Sequence, residues 1–140
     1  MASVSSDRET TKRVTVSSDD DLVAARREGR VLAEKLGFST SEATLVSTAI
    51  SELARNIVSY ARRGEIQVSL IYNGNKRGIH IVARDEGPGI TDISLAMREG
   101  YSTSGGLGIG LPGVRRIMDE FDIASDLGRG TTITITKWKR

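Results

Sequence analysis

The sequence contains no cysteine and only one histidine. Without thiols there is no disulfide framework, no thiolate zinc site and no cysteine nucleophile, and the composition fits a reducing compartment. One imidazole, that of His80, is too little material for a multi-histidine metal centre or a Ser-His-Asp triad. No run approaches the roughly 20 apolar residues that cross a bilayer. The opening MASVSSDRETT has no apolar stretch of the signal-peptide kind, so a cytoplasmic protein with no membrane partner is expected. Excess charge is missing too. Lys and Arg number 20 against 18 Asp and Glu, for a net charge of +2, with the signs interspersed, so no nucleic-acid partner held by bulk charge is expected.

What remains is 140 residues, the size of one domain, long enough to bury a core without staples. Residues 1–11 are small, polar and charged and read as a flexible arm, leaving 12–140 as the domain. Lys12 to Ser17 alternates Val14 and Val16 with polar residues, as an edge strand does. Asp19, Asp20 and Asp21 offer an N-cap and favourable charge to a helix whose stripe is Leu22, Ala25, Gly29, Leu32 and Leu36, closed by Gly37. Ser39 and Glu42 have the spacing of a capping box before a second stripe, Val46, Ile50, Leu53 and Ile57.

The period then changes to two. Ile66, Val68, Leu70 and Tyr72 form one face of a strand, Asn73-Gly74 predicts a hairpin turn, and Ile79, Ile81 and Ala83 follow in a strand ending at Asp85. His80 falls on the opposite, exposed face of that strand, and Trp138 is expected to pack. Gly100, Gly105, Gly106, Gly108 and Gly110 crowd one segment before a helix with Pro112 near its start and Val114, Ile117, Met118 and Phe121 as its stripe. Strands Asp122 to Ser125 and Thr131 to Trp138 complete the chain. The order predicts an α/β (α+β) two-layer sandwich: a mixed sheet with helices on one face.

Several short patterns bear on chemistry. Gly108 to Gly113 fits G-x-G-x-x-G, but no apolar strand precedes it, so the dinucleotide-fold reading fails. Gly105 to Gly110 has Walker A spacing, but Leu111 stands where lysine is required. Two readings of this segment stay open: a mobile surface loop, or backbone N–H groups that approach phosphate with the helix opening near Leu111 behind them. Glu52 and Asn56 are four apart and share the flank of the second stripe, where a carboxylate can take a hydroxyl proton and an amide oxygen can bind Mg²⁺. The same spacing occurs on ordinary solvated helix edges. Asp85, at a strand end before Gly87 and Gly89, can accept from an exocyclic amine while the glycines admit a flat base, or it can close a plain turn. Thr131, after Gly128 and Gly130, offers a hydroxyl in a threonine-rich strand.

Taken in chain order, Glu52-x-x-x-Asn56, Asp85-x-Gly87-x-Gly89, Gly106-x-Gly108-x-Gly110 and Gly128-x-Gly130-Thr131 resemble the four nucleotide-binding boxes of the GHKL ATPase/kinase superfamily. The stretches ISELARN (50–56), DEGPGI (85–90) and GYSTSGGLGIGLPGVRRIMDEF (100–121) look like the serine/threonine switch kinases of the bacterial stressosome, the RsbT type. The likeness runs from about Asp19 to Arg140. It implies a Bergerat fold holding ATP with Mg²⁺ between the helical layer and a lid. Glu52 matches the general base and Asn56 the Mg²⁺ ligand. Asp85 matches the adenine-reading aspartate, flanked by Gly87 and Gly89, and Thr131 a hydroxyl that holds adenine through water. Gly106, Gly108 and Gly110 match the lid, with Leu111 beside them at the nucleotide, and ATP would order 91–110 and alter partner affinity. The lid lacks lysine; Arg98 and Arg115 are the nearest basic residues to the expected γ-phosphate. The implied activity is phosphorylation of STAS-domain scaffold and antagonist proteins of a stressosome, followed by activation of a downstream phosphatase. The alternative is an anti-sigma factor kinase that sequesters a sigma factor and phosphorylates its antagonist. A chaperone-type clamp lacks the extra domains, and a sensor histidine kinase would need dimerisation helices.

Overall fold

The helices begin where their first turns find acceptors. Helix α1 spans Asp19–Leu36 and its N-cap is Ser18, whose own side chain makes no capping bond. Asp21 supplies the acceptor instead: its carboxylate receives the Ser17 N–H at 2.9 Å and the hydroxyls of Ser17 and Ser18. Those bonds, the Ser17 N–H first, hold the Asp21 carboxyl below the usual range. The aspartates are therefore first-turn residues, with the cap itself one position earlier than the sequence suggested. Gly37 ends α1 at φ 96°, the left-handed C-cap expected of it. Helix α2, Thr40–Tyr60, opens with the predicted capping box, Ser39 Oγ accepting from Glu42 N–H and the Glu42 carboxylate accepting from Ser39 N–H.

The structure is a computed structural model describing residues 7–89, 97 and 109–140. Its strands are β1 (Asp7–Val16), β2 (Gly64–Asn73), β3 (Lys76–Asp85), β4 (Glu120–Asp126) and β5 (Gly130–Trp138), with α3 (Gly110–Ile117) preceding β4. They form one sheet in the order β1-β2-β3-β5-β4, and every pairing among the described residues is antiparallel. This corrects the mixed sheet that was expected. The α1–α2 hairpin between β1 and β2 returns the chain to the end it left, so β2 runs against β1. β4 does run in the direction of β3, but β5 lies between them.

Three further boundaries differ from expectation. β1 starts at Asp7, inside the stretch read as a flexible arm, because Asp7, Arg8 and Glu9 pair with Tyr72, Ile71 and Leu70 across a bulge. Asn73 pairs with Lys76, so the hairpin turn is Gly74-Asn75 with positive φ at Gly74 only, the sign pattern of a II′ turn. Phe121 lies in β4, not on a helix. The chain leaves α3 at Met118 with ψ 158° and is drawn into the sheet by Asp119, whose N–H bonds Thr136 O and whose carboxylate accepts from Trp138 N–H.

Both long helices lie on one sheet face. Leu22, Ala25, Leu32 and Leu36 of α1 and Val46, Ile50, Leu53 and Ile57 of α2 pack with Ile66, Val68, Ile79, Ile81, Ile133 and Ile135 into one buried cluster. Gly29 lets the helices approach closely, since a Cβ there would stand 2.0 Å from Ile50 Cδ1. The opposite face carries a polar row: Thr11 Oγ1 to Ser69 Oγ at 3.0 Å, and His80 Nδ1 to Thr136 Oγ1 at 3.0 Å. His80 is half-buried there. Trp138 packs as expected, over Gly78, with Lys76 Nζ 4.8 Å above its ring and its Nε1–H donating to Glu120. No described helix is long and apolar enough to cross a membrane.

The capping box sets where α2, the helix bearing Glu52 and Asn56, begins. Ser39→Ala is expected to lower stability by about 1 kcal/mol, the typical value of such a cap, read as a shift in urea midpoint at unchanged m-value.

Candidate functional site

Glu52 and Asn56 sit one turn apart on α2, and both are buried, at 4% and 5% exposure. A carboxylate so far from water needs hydrogen-bonding partners. One Glu52 oxygen pairs with Arg55 Nη1 at 2.6 Å; the other accepts the N–H of Gly110 at 3.1 Å, where α3 begins. The Asn56 amide makes no hydrogen bond to any described residue. Its amide oxygen is of the kind that binds a hard cation. No group of three or more His, Cys, Asp or Glu among the described residues could hold a metal alone. An amide oxygen one turn from a carboxylate suits Mg²⁺ held jointly with phosphates and waters, the usual manner in which this ion binds at nucleotide sites.

The second half of the site lies at the end of β3. Asp85 stands opposite Gly64 of β2 and Thr131 of β5. Thr131 is 5% exposed and its Oγ1 lies 2.8 Å from Ser125 Oγ, so the hydroxyl is held in place by β4. Asp85 Oδ1 accepts the N–H of Gly87 at 2.9 Å, which fixes the carboxylate and leaves Oδ2 without that bond. α2 presses directly on this row. A Cβ at Gly64 would lie 2.9 Å from Ile57 Cγ2, one residue beyond Asn56.

The glycines near Asp85 have a packing role that their spacing did not reveal. A Cβ at Gly87 would lie 2.6 Å from Ala61 Cβ, and one at Gly89, whose φ is +83°, would lie 2.5 Å from Asp126 O. Pro88 O also accepts the Gly128 N–H at 2.9 Å. The loop after Asp85 is thus clamped between the end of α2 and the β4–β5 turn. Gly130 is tighter still: at φ +111° it faces the Asp85 carbonyl, which a Cβ would approach to 2.0 Å.

Gly110 joins the site through its N–H to Glu52. Leu111 enters differently from what was expected. Its side chain is 1% exposed in the core, so only its backbone remains to meet a ligand. Arg115 is exposed on the last turn of α3. Gly106, Gly108, Arg98 and most of the 91–110 lid lie outside the described residues. Two residues were missed at the sequence level. Arg55 carried a signal, an opposite charge three positions from Glu52; Ser125 carried none until the β4–β5 register was known. An open groove of about 460 Å³ at the sheet rim, with Arg63, Glu65, Arg84 and Glu86 in its walls, reaches the site at Asp85, Gly64 and Ala61.

Helices packed over one face of an antiparallel sheet in this way define an ATPase-type domain. The chain belongs to the histidine kinase-like ATPase domain family, which it matches over residues 15–137. It is 51% identical over 127 residues to the serine/threonine-protein kinase RsbT of Bacillus subtilis (strain 168), covering 91% of this chain and 96% of that one. It is 31% identical over 120 residues to the anti-sigma F factor of Thermoanaerobacter sp. (strain X514), covering 81% and 82%. The crystal structure of the RsbU and RsbW domains of a Mycobacterium tuberculosis protein shares the fold, with a TM-score of 0.62 at 17% identity over 94% of this chain, which spans 33% of that larger one. The resemblance read from the sequence is thereby borne out, for the superfamily and for its serine/threonine kinase branch.

Because Gly130 permits the β5 backbone to meet the Asp85 carbonyl, Gly130→Ala is expected to cost roughly 1–3 kcal/mol, the scale of a strained backbone position, read by urea unfolding. The same variant should bind a fluorescent ATP analogue more weakly than the wild-type chain under conditions where both are folded.

Proposed function

We propose that the chain is an ATP- and Mg²⁺-dependent protein serine/threonine kinase of a stress-signalling complex. Its substrates in this reading are STAS-domain scaffold and antagonist proteins, and its exchange of partners activates a downstream phosphatase. The observation that carries the proposal is the pair on α2: a buried, ionically paired carboxylate, Glu52, one turn from the buried amide of Asn56. Glu52 takes the proton of an acceptor serine or threonine hydroxyl as its oxygen attacks the γ-phosphorus and ADP departs. Asn56 would hold Mg²⁺ through its amide oxygen, and the ion would supply neutralisation of phosphate charge. Asp85 accepts from the adenine amine, and Thr131 lies across the same strand pair to hold the base. The 51% identity to a serine/threonine-protein kinase supports this reading.

Incubation with radiolabelled ATP, Mg²⁺ and purified STAS-domain proteins tests it. Acid-stable label on a STAS protein supports hydroxyl phosphorylation; absence of label on every STAS protein tried rejects the substrate class. A second reading, a kinase that also sequesters a sigma factor, is favoured by the 31% identity to an anti-sigma F factor. It requires capture of a purified sigma subunit by the nucleotide-loaded chain.

Asp85→Asn replaces an anionic acceptor with an amide, and ATP affinity should fall by the roughly 1.5–3 kcal/mol of a hydrogen bond to a charged group. Isothermal calorimetry on the folded variant gives the answer, and unchanged affinity removes Asp85 from adenine recognition. Glu52→Ala is expected to retain ATP but transfer phosphate about 10²-fold or more slowly, the low end of general-base contributions. Equal single-turnover rates at saturating ATP would remove Glu52 from the mechanism.

A further inference from the structure

Two helical ion pairs in this chain look alike in sequence and differ in setting. Arg30 and Glu34 of α1 lie 3.5 Å apart with side chains 39% and 58% exposed, a surface pair that contributes little. Arg55 and Glu52 lie 2.6 Å apart with side chains 33% and 5% exposed. Here the acid is desolvated and the base is not. The guanidinium therefore reaches inward from a wet flank to a carboxylate whose other oxygen is engaged by Gly110. Each carboxylate oxygen has two acceptor sites, so one bond apiece leaves a free lone pair on both. The Gly110 contact comes from a segment 58 residues away, whereas the Arg55 contact comes from the same helical turn and does not depend on where α3 lies.

We propose that Arg55 is a positioning residue for phosphoryl transfer: its guanidinium holds the buried Glu52 carboxylate in one rotamer, ready for the acceptor hydroxyl. This rests on the reading of Glu52 as the base. Arg55 acts through Glu52, so its removal lowers kcat and leaves nucleotide binding in place. A guanidinium that gripped the phosphates would instead raise KM for ATP.

The test is single-turnover and steady-state phosphotransfer from ATP to a STAS-domain protein that the wild-type chain labels. Rates are normalised to the fraction of each variant that binds a fluorescent ATP analogue, so unfolded protein is not counted. Arg55→Met should lower kcat by roughly 10- to 100-fold, the effect of displacing a catalytic group by about an ångström, with KM for ATP unchanged. Arg55→Lys should recover part of that loss, since it restores the charge without the planar fork. In a Glu52→Gln background, Arg55→Met should cause no further loss, because the two act as one unit. An equal loss in both backgrounds overturns the proposal alone, as does a raised KM at unchanged kcat. A Glu52→Gln chain that transfers phosphate at the wild-type rate overturns the base reading and this proposal with it.

Discussion

A carboxylate buried to 4% exposure is held by one neighbour on its own helix and one 58 residues further along, and the site is organised around it. The Arg55 guanidinium and the Gly110 N–H each bond one of its oxygens, and they do so without using up its acceptor capacity. The Gly110 bond also ties the start of α3 to the middle of α2. Leu111 and Val114, buried in the same cluster as Leu53 and Ile57, reinforce that junction through the hydrophobic effect. A polar contact with chemical potential thus sits at the edge of an apolar one that keeps water away from it.

The strand-end half of the site depends on close backbone approach. Three chain segments converge at Asp85: the end of α2 at Ala61, the β4–β5 turn at Asp126 to Gly130, and the loop through Gly87 and Gly89. Their separations are too short for Cβ atoms, so glycine is required by neighbours that belong to the protein itself. Sheet register supplies the remaining precision. Asp85 and Thr131 are directly paired, and Ser125 opposite Thr131 fixes the hydroxyl from the next strand.

Local signals made α1, α2 and the β2–β3 hairpin readable, because a left-handed Gly37, the Ser39–Glu42 box and the alternation of Ile66, Val68 and Leu70 are encoded within a few residues. What was misread depended on distant partners. Asp7 to Glu9 have no apolar period and become strand only by pairing with β2. Phe121 continues a helical stripe on paper, yet the bonds from Asp119 to Thr136 and Trp138 pull it into β4. Strand direction is likewise a property of the whole path. In the candidate site, Glu52, Asn56, Asp85 and Thr131 stood out through their likeness to four nucleotide-binding boxes, spacing alone leaving plainer readings open, whereas the packing role of Gly87 and Gly89 and the support from Ser125 required the third dimension.

The two halves of the site are rigid for different reasons, and one apolar contact sets the distance between them. Helical pitch relates Glu52 to Asn56, and sheet pairing relates Asp85 to Thr131. What relates Asn56 to Asp85 is how deeply α2 settles on the sheet. That depth is limited at Gly64, where Ile57 Cγ2 and Arg84 O leave no room for a side chain: a Cβ would meet them at 2.9 and 2.5 Å. A methyl group at this position would lift the end of α2 away from β3 because close-packed interiors transmit displacement. The asparagine and the aspartate would then separate without either being touched, so the function read from four polar residues rests on a glycine and an isoleucine that carry no chemistry of their own.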